Sequence, residues 1–101
     1  MSTVRIAMCQ IVCLDGDRRG NLARIENAVA EAAQAGARMA CLPETVLYGW
    51  VNPDAHDRAQ PIPGADSESL CAIARRQKVF LCVGLAEKDG DDLFDSALLI
   101  D

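Results

Sequence analysis

The sequence holds one histidine, no Cys-x-x-Cys pair, no basic cluster and no long hydrophobic run. Each absence excludes something. Formal net charge is −5, so the positive footprint that nucleic acid or an anionic membrane surface requires is missing. The longest strongly apolar stretch, Val79 to Ala86, falls far short of the roughly 20 residues of a membrane helix. Met1 leads straight into an apolar strand pattern, without the charged start and apolar core of a secretory signal, so a cytoplasmic location is expected. The five cysteines (Cys9, Cys13, Cys41, Cys71, Cys82) are odd in number, and four of them lie in apolar runs. They read as reduced thiols acting as small hydrophobes, not as a disulfide scaffold or metal site. His56 stands in a polar loop with Asp54 and Asp57, with no cysteine marked as its partner. A surface role is expected for it.

What is present is an ordered series of strand and helix patterns. At 101 residues the chain forms at most one domain, and no internal boundary or repeat is visible. Val4 to Ile11 is a first strand. Asp15-Gly16-Asp17 is a turn able to cap a helix, whose stripe is Leu22, Ile25, Val29 and Ala32. Gly36 stops that helix, and Met39 to Leu42 is a second strand, which completes a βαβ unit. Residues 45–65 have no sustained period and carry Gly49, Pro53, Pro61, Pro63 and Gly64, so they predict a long functional loop. Asp66 or Ser67 can cap a second helix with Leu70, Ile73, Ala74 and Gln77 on one side. Val79 to Leu85 reads as a strand apolar on both faces, Lys88 to Asp92 as a polar turn, and Phe94 to Ile100 as an antiparallel fourth strand. The order β-α-β-α-β-β predicts an α/β fold: a mixed sheet with two helices on one side. The chain ends at Asp101 in what reads as a strand region, so the fold is expected to be incomplete at the carboxyl end.

The most informative position is Leu42-Pro43-Glu44. Proline forces the residue before it into an extended conformation, so the strand ends there, and a carboxylate follows at once. Open α/β sheets build their sites just beyond the carboxyl ends of such strands. The dinucleotide pattern Gly-x-Gly-x-x-Gly is missing from the first strand-to-helix turn, which counts against a nucleotide binder.

Several further pieces accompany Leu42-Pro43-Glu44 in order. They are Ile6-Ala7-Met8-Cys9-Gln10, Asn21, Ala35-Gly36-Ala37, Gly49-Trp50, Pro63-Gly64, Val83-Gly84-Leu85-Ala86-Glu87 and Asp95-Ser96-Ala97. Together they resemble the amino-terminal part of the nitrilase superfamily, the carbon–nitrogen hydrolases. Trp50 stands where that pattern usually has tyrosine or phenylalanine, and Asp95 where it usually has asparagine. The resemblance implies an α-β-β-α sandwich, of which this chain is a part, and a Glu-Lys-Cys triad that cleaves amides, carbamoyl amides or nitriles through a thioester. It implies no metal and no organic cofactor. Glu44 matches the general base, Tyr48 and Trp50 fall where a substrate pocket is lined, and Glu87 is expected to hold loop backbone. Lys78 and Lys88 do not match the family lysine. Cys41, although close to Glu44 in sequence, does not match the nucleophile and is expected to point to the other face by strand alternation. Homo-oligomers are implied as well, since sandwiches of this kind pack face to face. The alternative is a non-catalytic truncated or pseudoenzyme module with the same fold.

Overall fold

The computed structural model describes residues 2–101. Its elements are β1 (Ile6–Met8), α1 (Arg18–Gln34), β2 (Met39–Cys41), α2 (Ala55–Arg58), α3 (Ala65–Gln77), β3 (Phe80–Asp89) and β4 (Asp92–Ile100). The four strands form one sheet in chain order, with β1, β2 and β3 parallel and β4 antiparallel to β3. This is the expected mixed sheet.

Helix α1 starts where the Gly20 N–H donates to Asp17 Oδ1 at 3.1 Å, which satisfies one of its unpaired first-turn amides. It ends before Gly36, whose φ of +85° suits glycine. Ile25, Val29 and Ala32 face the core as expected, whereas Leu22 is only half-buried and its neighbour Asn21 takes the inward position. The Asn21 amide accepts from the Leu14 N–H at 3.0 Å and donates to the carbonyls of Leu14 and Leu47 at 2.9 and 3.0 Å. A polar residue is stable there because all its bonds are made, and it ties two loops to the helix.

Three expectations need correction. Helix α3 is capped at Gly64, not at Asp66 or Ser67. Ser67 lies inside the first turn, where its Oγ accepts from the Gly64 N–H at 2.9 Å, and Asp66 turns inward. The loop 45–65 contains the one-turn helix α2. The turn between the last two strands is only Gly90-Asp91, so pairing runs on through Lys88 and Asp89. A two-residue hairpin with glycine at φ +61° matches strand twist, and the polar residues flanking it can lie in exposed strand ends.

Leu81, Val83 and Leu85 of β3 join Ile25, Val29, Leu70 and Ile73 in one buried core, so both long helices cover the same sheet face. The opposite face is uncovered. Register sets Met8, Cys41, Cys82 and Leu99 on it side by side, with Ile6, Met39 and Phe80 in the next row. Met8 and Leu99 are 77% and 67% exposed, so β3 is buried on one face rather than on both.

Candidate active site

The segment after β2 is clamped to β3. The Leu42 N–H donates to the Cys82 carbonyl at 2.8 Å, the Gly84 N–H to the Pro43 carbonyl at 3.3 Å, and the Val46 N–H to the Gly84 carbonyl at 3.2 Å. Between these bonds Glu44 is pressed against Gly84. A Cβ on Gly84 would stand 2.5 Å from Glu44 Cα and 2.9 Å from the Pro43 carbonyl oxygen, so only glycine fits. Gly84 alternates with the buried Val83 and Leu85, which places Glu44 on the uncovered face. The next residue, Thr45, adopts φ 44°, a left-handed conformation uncommon for a β-branched side chain, and its buried hydroxyl has no partner. Strain of this kind collects where the surrounding structure over-determines a functional position.

Glu44 itself is exposed. Its carboxyl is held above the ordinary carboxylate range chiefly by a side-chain hydrogen bond with Asp95 and by the charge of Asp95, and only then by burial. Burial is thus the least of the three causes. Asp95 projects from β4, where it pairs with Ala86.

Trp50 is 68% exposed and lines a cleft of about 250 Å³ together with Thr45, His56, Phe94 and Asp95. Tyr48 lies elsewhere. It is buried, its hydroxyl donates to Asp66 Oδ2 at 2.6 Å and sits 3.0 Å from the Arg58 carbonyl, and Arg18 Nε donates to Asp66 Oδ1 at 2.7 Å. Burial, then the adjacent Asp66 carboxylate, pushes the phenol up to about 12. The expectation of Tyr48 at the substrate is therefore revised: its polar end is consumed in joining the loop to α3. Tyr48→Phe should lower stability by about 1–2 kcal/mol, because Asp66 loses a buried donor, and should leave KM unchanged. Chemical denaturation beside steady-state kinetics of the intact protein checks both parts.

The remaining titratable residues stand away from Glu44 or are engaged. Lys78 ends α3 at the opposite end of the parallel strands. Lys88 donates its ammonium to the His56 carbonyl, and His56 is exposed. Glu87 accepts from Ser96 Oγ at 2.7 Å, a side chain and not the loop backbone expected, while the backbone beside it binds the loop: the Lys88 N–H donates to the Gln60 carbonyl at 3.0 Å. Cys41 shares the uncovered face with Glu44, contrary to the alternation inferred from sequence, because the chain bulges at Pro43 as it crosses Gly84. Burial and the neighbouring Cys82 push its thiol up, the reverse of an activated nucleophile. Among the described residues no group of three or more His, Cys, Asp or Glu is arranged to hold a metal ion.

A carbon-nitrogen hydrolase family model matches residues 5–101. The chain belongs to that family. It is similar to a nitrilase of Pyrococcus abyssi, 34% identical over 84 residues, covering 79% of this chain and 32% of the relative. It is also similar to an omega-amidase of Mus musculus, 31% identical over 97 residues, covering 95% and 35%. Among solved structures, an amidase from Nesterenkonia sp. superposes with a TM-score of 0.81 at 27% identity, over 97% of this chain and 38% of that one. A CN-hydrolase superfamily protein from Xanthomonas campestris gives a TM-score of 0.82 at 22% identity, which supports the fold alone, over 99% and 37%. The chain spans about a third of the length of the curated relatives it matches. In a glutamate-to-glutamine mutant of the Nesterenkonia amidase, acrylamide adds to the active-site cysteine.

Sequence reasoning singled out Glu44 and Trp50, gave Asp66 only a capping role, and gave none to Asp95, Gly84 or Asn21. Gly84 and Asp95 stood within the matching pieces, and only the sheet register shows what they meet.

Proposed function

We propose that the protein carrying this chain hydrolyses a non-peptide C–N bond of a small amide, carbamoyl amide or nitrile, with Glu44 as general base. The nucleophilic cysteine and a lysine would come from outside residues 1–101, because among the described residues no cysteine or lysine stands ready beside Glu44. One observation supports the reading above others. Glu44 is fixed by its backbone on the uncovered sheet face, with its carboxyl exposed and shifted toward stronger basicity.

The chemistry follows from that placement. Glu44 takes the thiol proton, since only the thiolate attacks well. The sulfur bonds to the amide carbon, and the developing oxyanion needs a positive group, the role of the lysine. Collapse breaks the C–N bond, with Glu44 returning its proton to the departing nitrogen, and leaves a thioester. Glu44 then removes a proton from water, which hydrolyses the thioester and frees the acid. No step requires a metal or organic cofactor. Trp50 and its cleft would form part of the substrate wall. The uncovered apolar face suits burial against further structure or a second copy, and a homo-oligomer is proposed on that ground. Five free cysteines suit a reducing compartment, which favours the cytoplasm.

Mass spectrometry of the intact protein quenched during turnover of a short aliphatic amide tests this. One cysteine should carry the acyl group while ammonia is released, and residues 1–101 alone should release none. Steady ammonia release from residues 1–101, abolished by removing Glu44, would overturn the reading.

A further inference from the structure

The segment after β2 spends more residues than the strand beside it. The Leu42 N–H bonds to the Cys82 carbonyl, and the next such bond, from the Val46 N–H, reaches the Gly84 carbonyl. Four positions on this side thus match two on β3. Gly84 marks where the surplus lies. Its N–H donates to the Pro43 carbonyl and its own carbonyl accepts from Val46, so Glu44 and Thr45 together occupy a place that a regular parallel pair gives to one residue. This is a β-bulge, a device that re-aims a side chain beside a site. Thr45 absorbs the extra length by turning left-handed at φ 44°.

We propose that Thr45 is a positioning residue of Glu44: its left-handed turn makes the bulge, and its branched, buried side chain keeps the bulge stiff, so that Glu44 stays above Gly84 on the uncovered face. The inference rests on the general-base reading of Glu44. Glycine would take this backbone without cost. Gly16, Gly36, Gly49 and Gly90 do so elsewhere, and among the described residues Thr45 is the one β-branched residue with a positive φ. What threonine adds is rigidity, because two heavy atoms on Cβ restrict its rotamer, whereas glycine moves freely between φ of either sign. The Thr45 side chain is buried and its hydroxyl bonds to nothing among the described residues, so the position uses the shape rather than the polarity.

The bulge is held from other directions as well. The Thr45 carbonyl accepts from the Gly49 N–H at 2.9 Å, which closes the turn that follows. The Val46 carbonyl accepts from the Cys13 thiol at 3.1 Å, a contact with the loop after β1. Val46 and Leu47 are fully buried and plug the far end into the core. With both ends fixed, a change in the middle has only Glu44 and Thr45 to move.

Thr45→Gly suits the backbone and should fold, with a Tm close to that of the wild type. Without its stiff member the bulge should let Glu44 wander, so kcat of the intact protein should fall about 10- to 100-fold, with the loss in kcat rather than KM. Thr45→Val keeps the branched shape without the hydroxyl and should recover most of the lost rate. A Thr45→Gly protein with wild-type kcat would overturn the proposal, and so would a Thr45→Val protein as slow as Thr45→Gly. Hydrogen exchange read by NMR needs no turnover. The Gly84 and Val46 amides, whose bonds of 3.3 and 3.2 Å bound the bulge, should exchange faster in Thr45→Gly than in Thr45→Val or the wild type. Equal exchange in all three would also overturn it. An intact protein that hydrolyses nothing, yet shows this difference in exchange, would refute the hydrolase reading and keep the stiffened bulge.

Discussion

Gly84→Ala should nearly abolish turnover of the intact protein and lower its stability by about 3 kcal/mol, the upper part of the usual range for overpacking. The added Cβ would stand 2.5 Å from Glu44 Cα, 2.9 Å from the Pro43 carbonyl oxygen and 3.1 Å from the Glu44 nitrogen. All three are backbone atoms, so no rotamer change relieves the clash. Either β3 or the Pro43–Val46 segment must move, which breaks the bonds that join them. A displacement of about 1 Å at the base is enough to cost on the order of 10²-fold in rate. Gly90→Ala is the control. Nothing lies within 4 Å of its would-be Cβ, but its φ of +61° disfavours alanine, so stability should fall by about 1 kcal/mol with activity intact. Thermal unfolding and kcat/KM of the two variants separate these cases. A Gly84→Ala protein with normal kcat/KM would show that the close approach does not hold the base.

The strand and helix order was legible because apolar spacing reports it directly. Ile25, Val29 and Ala32 recur at helical intervals and all face the core, and Pro43 ends the second strand. Glu44 was legible as well, since a carboxylate after a strand-ending proline has a predictable position. What remained hidden depends on contacts between distant elements. The sequence around Tyr48 matches a loop beside a pocket equally well whether the ring points in or out. Its inward turn is decided by Asp66, 18 positions away, whose buried carboxylate needs donors. Asp95 is similar: alternation along β4 is visible in sequence, but its meeting with Glu44 follows from the pairing of Gly84 with Ala97 and the bulge at Pro43. Cys41 was misplaced for the same reason, as a bulge shifts the alternation that a regular strand would keep. A run such as Val79 to Leu85 looks alike whether one face or both are covered, so the run by itself did not tell which face the helices take.

The central claim is that Glu44 is the base, and Glu44→Gln of the intact protein carries the largest expected effect. Glutamine keeps the size of the side chain and can still bond to Asp95, so the fold should survive. It cannot take a proton from a thiol or from water, and both halves of the reaction need that transfer. Loss of a general base costs roughly 10²–10⁴-fold in kcat. Substrate binding relies on other groups, so KM should change little while kcat collapses. Folding is confirmed by an unchanged thermal transition, and the decisive reading is ammonia release from a short aliphatic amide at neutral pH by wild type and Glu44→Gln side by side. The structure predicts a folded variant at least 10²-fold slower. A folded variant within a few-fold of the wild-type rate would contradict the assignment of Glu44 and with it the proposed mechanism.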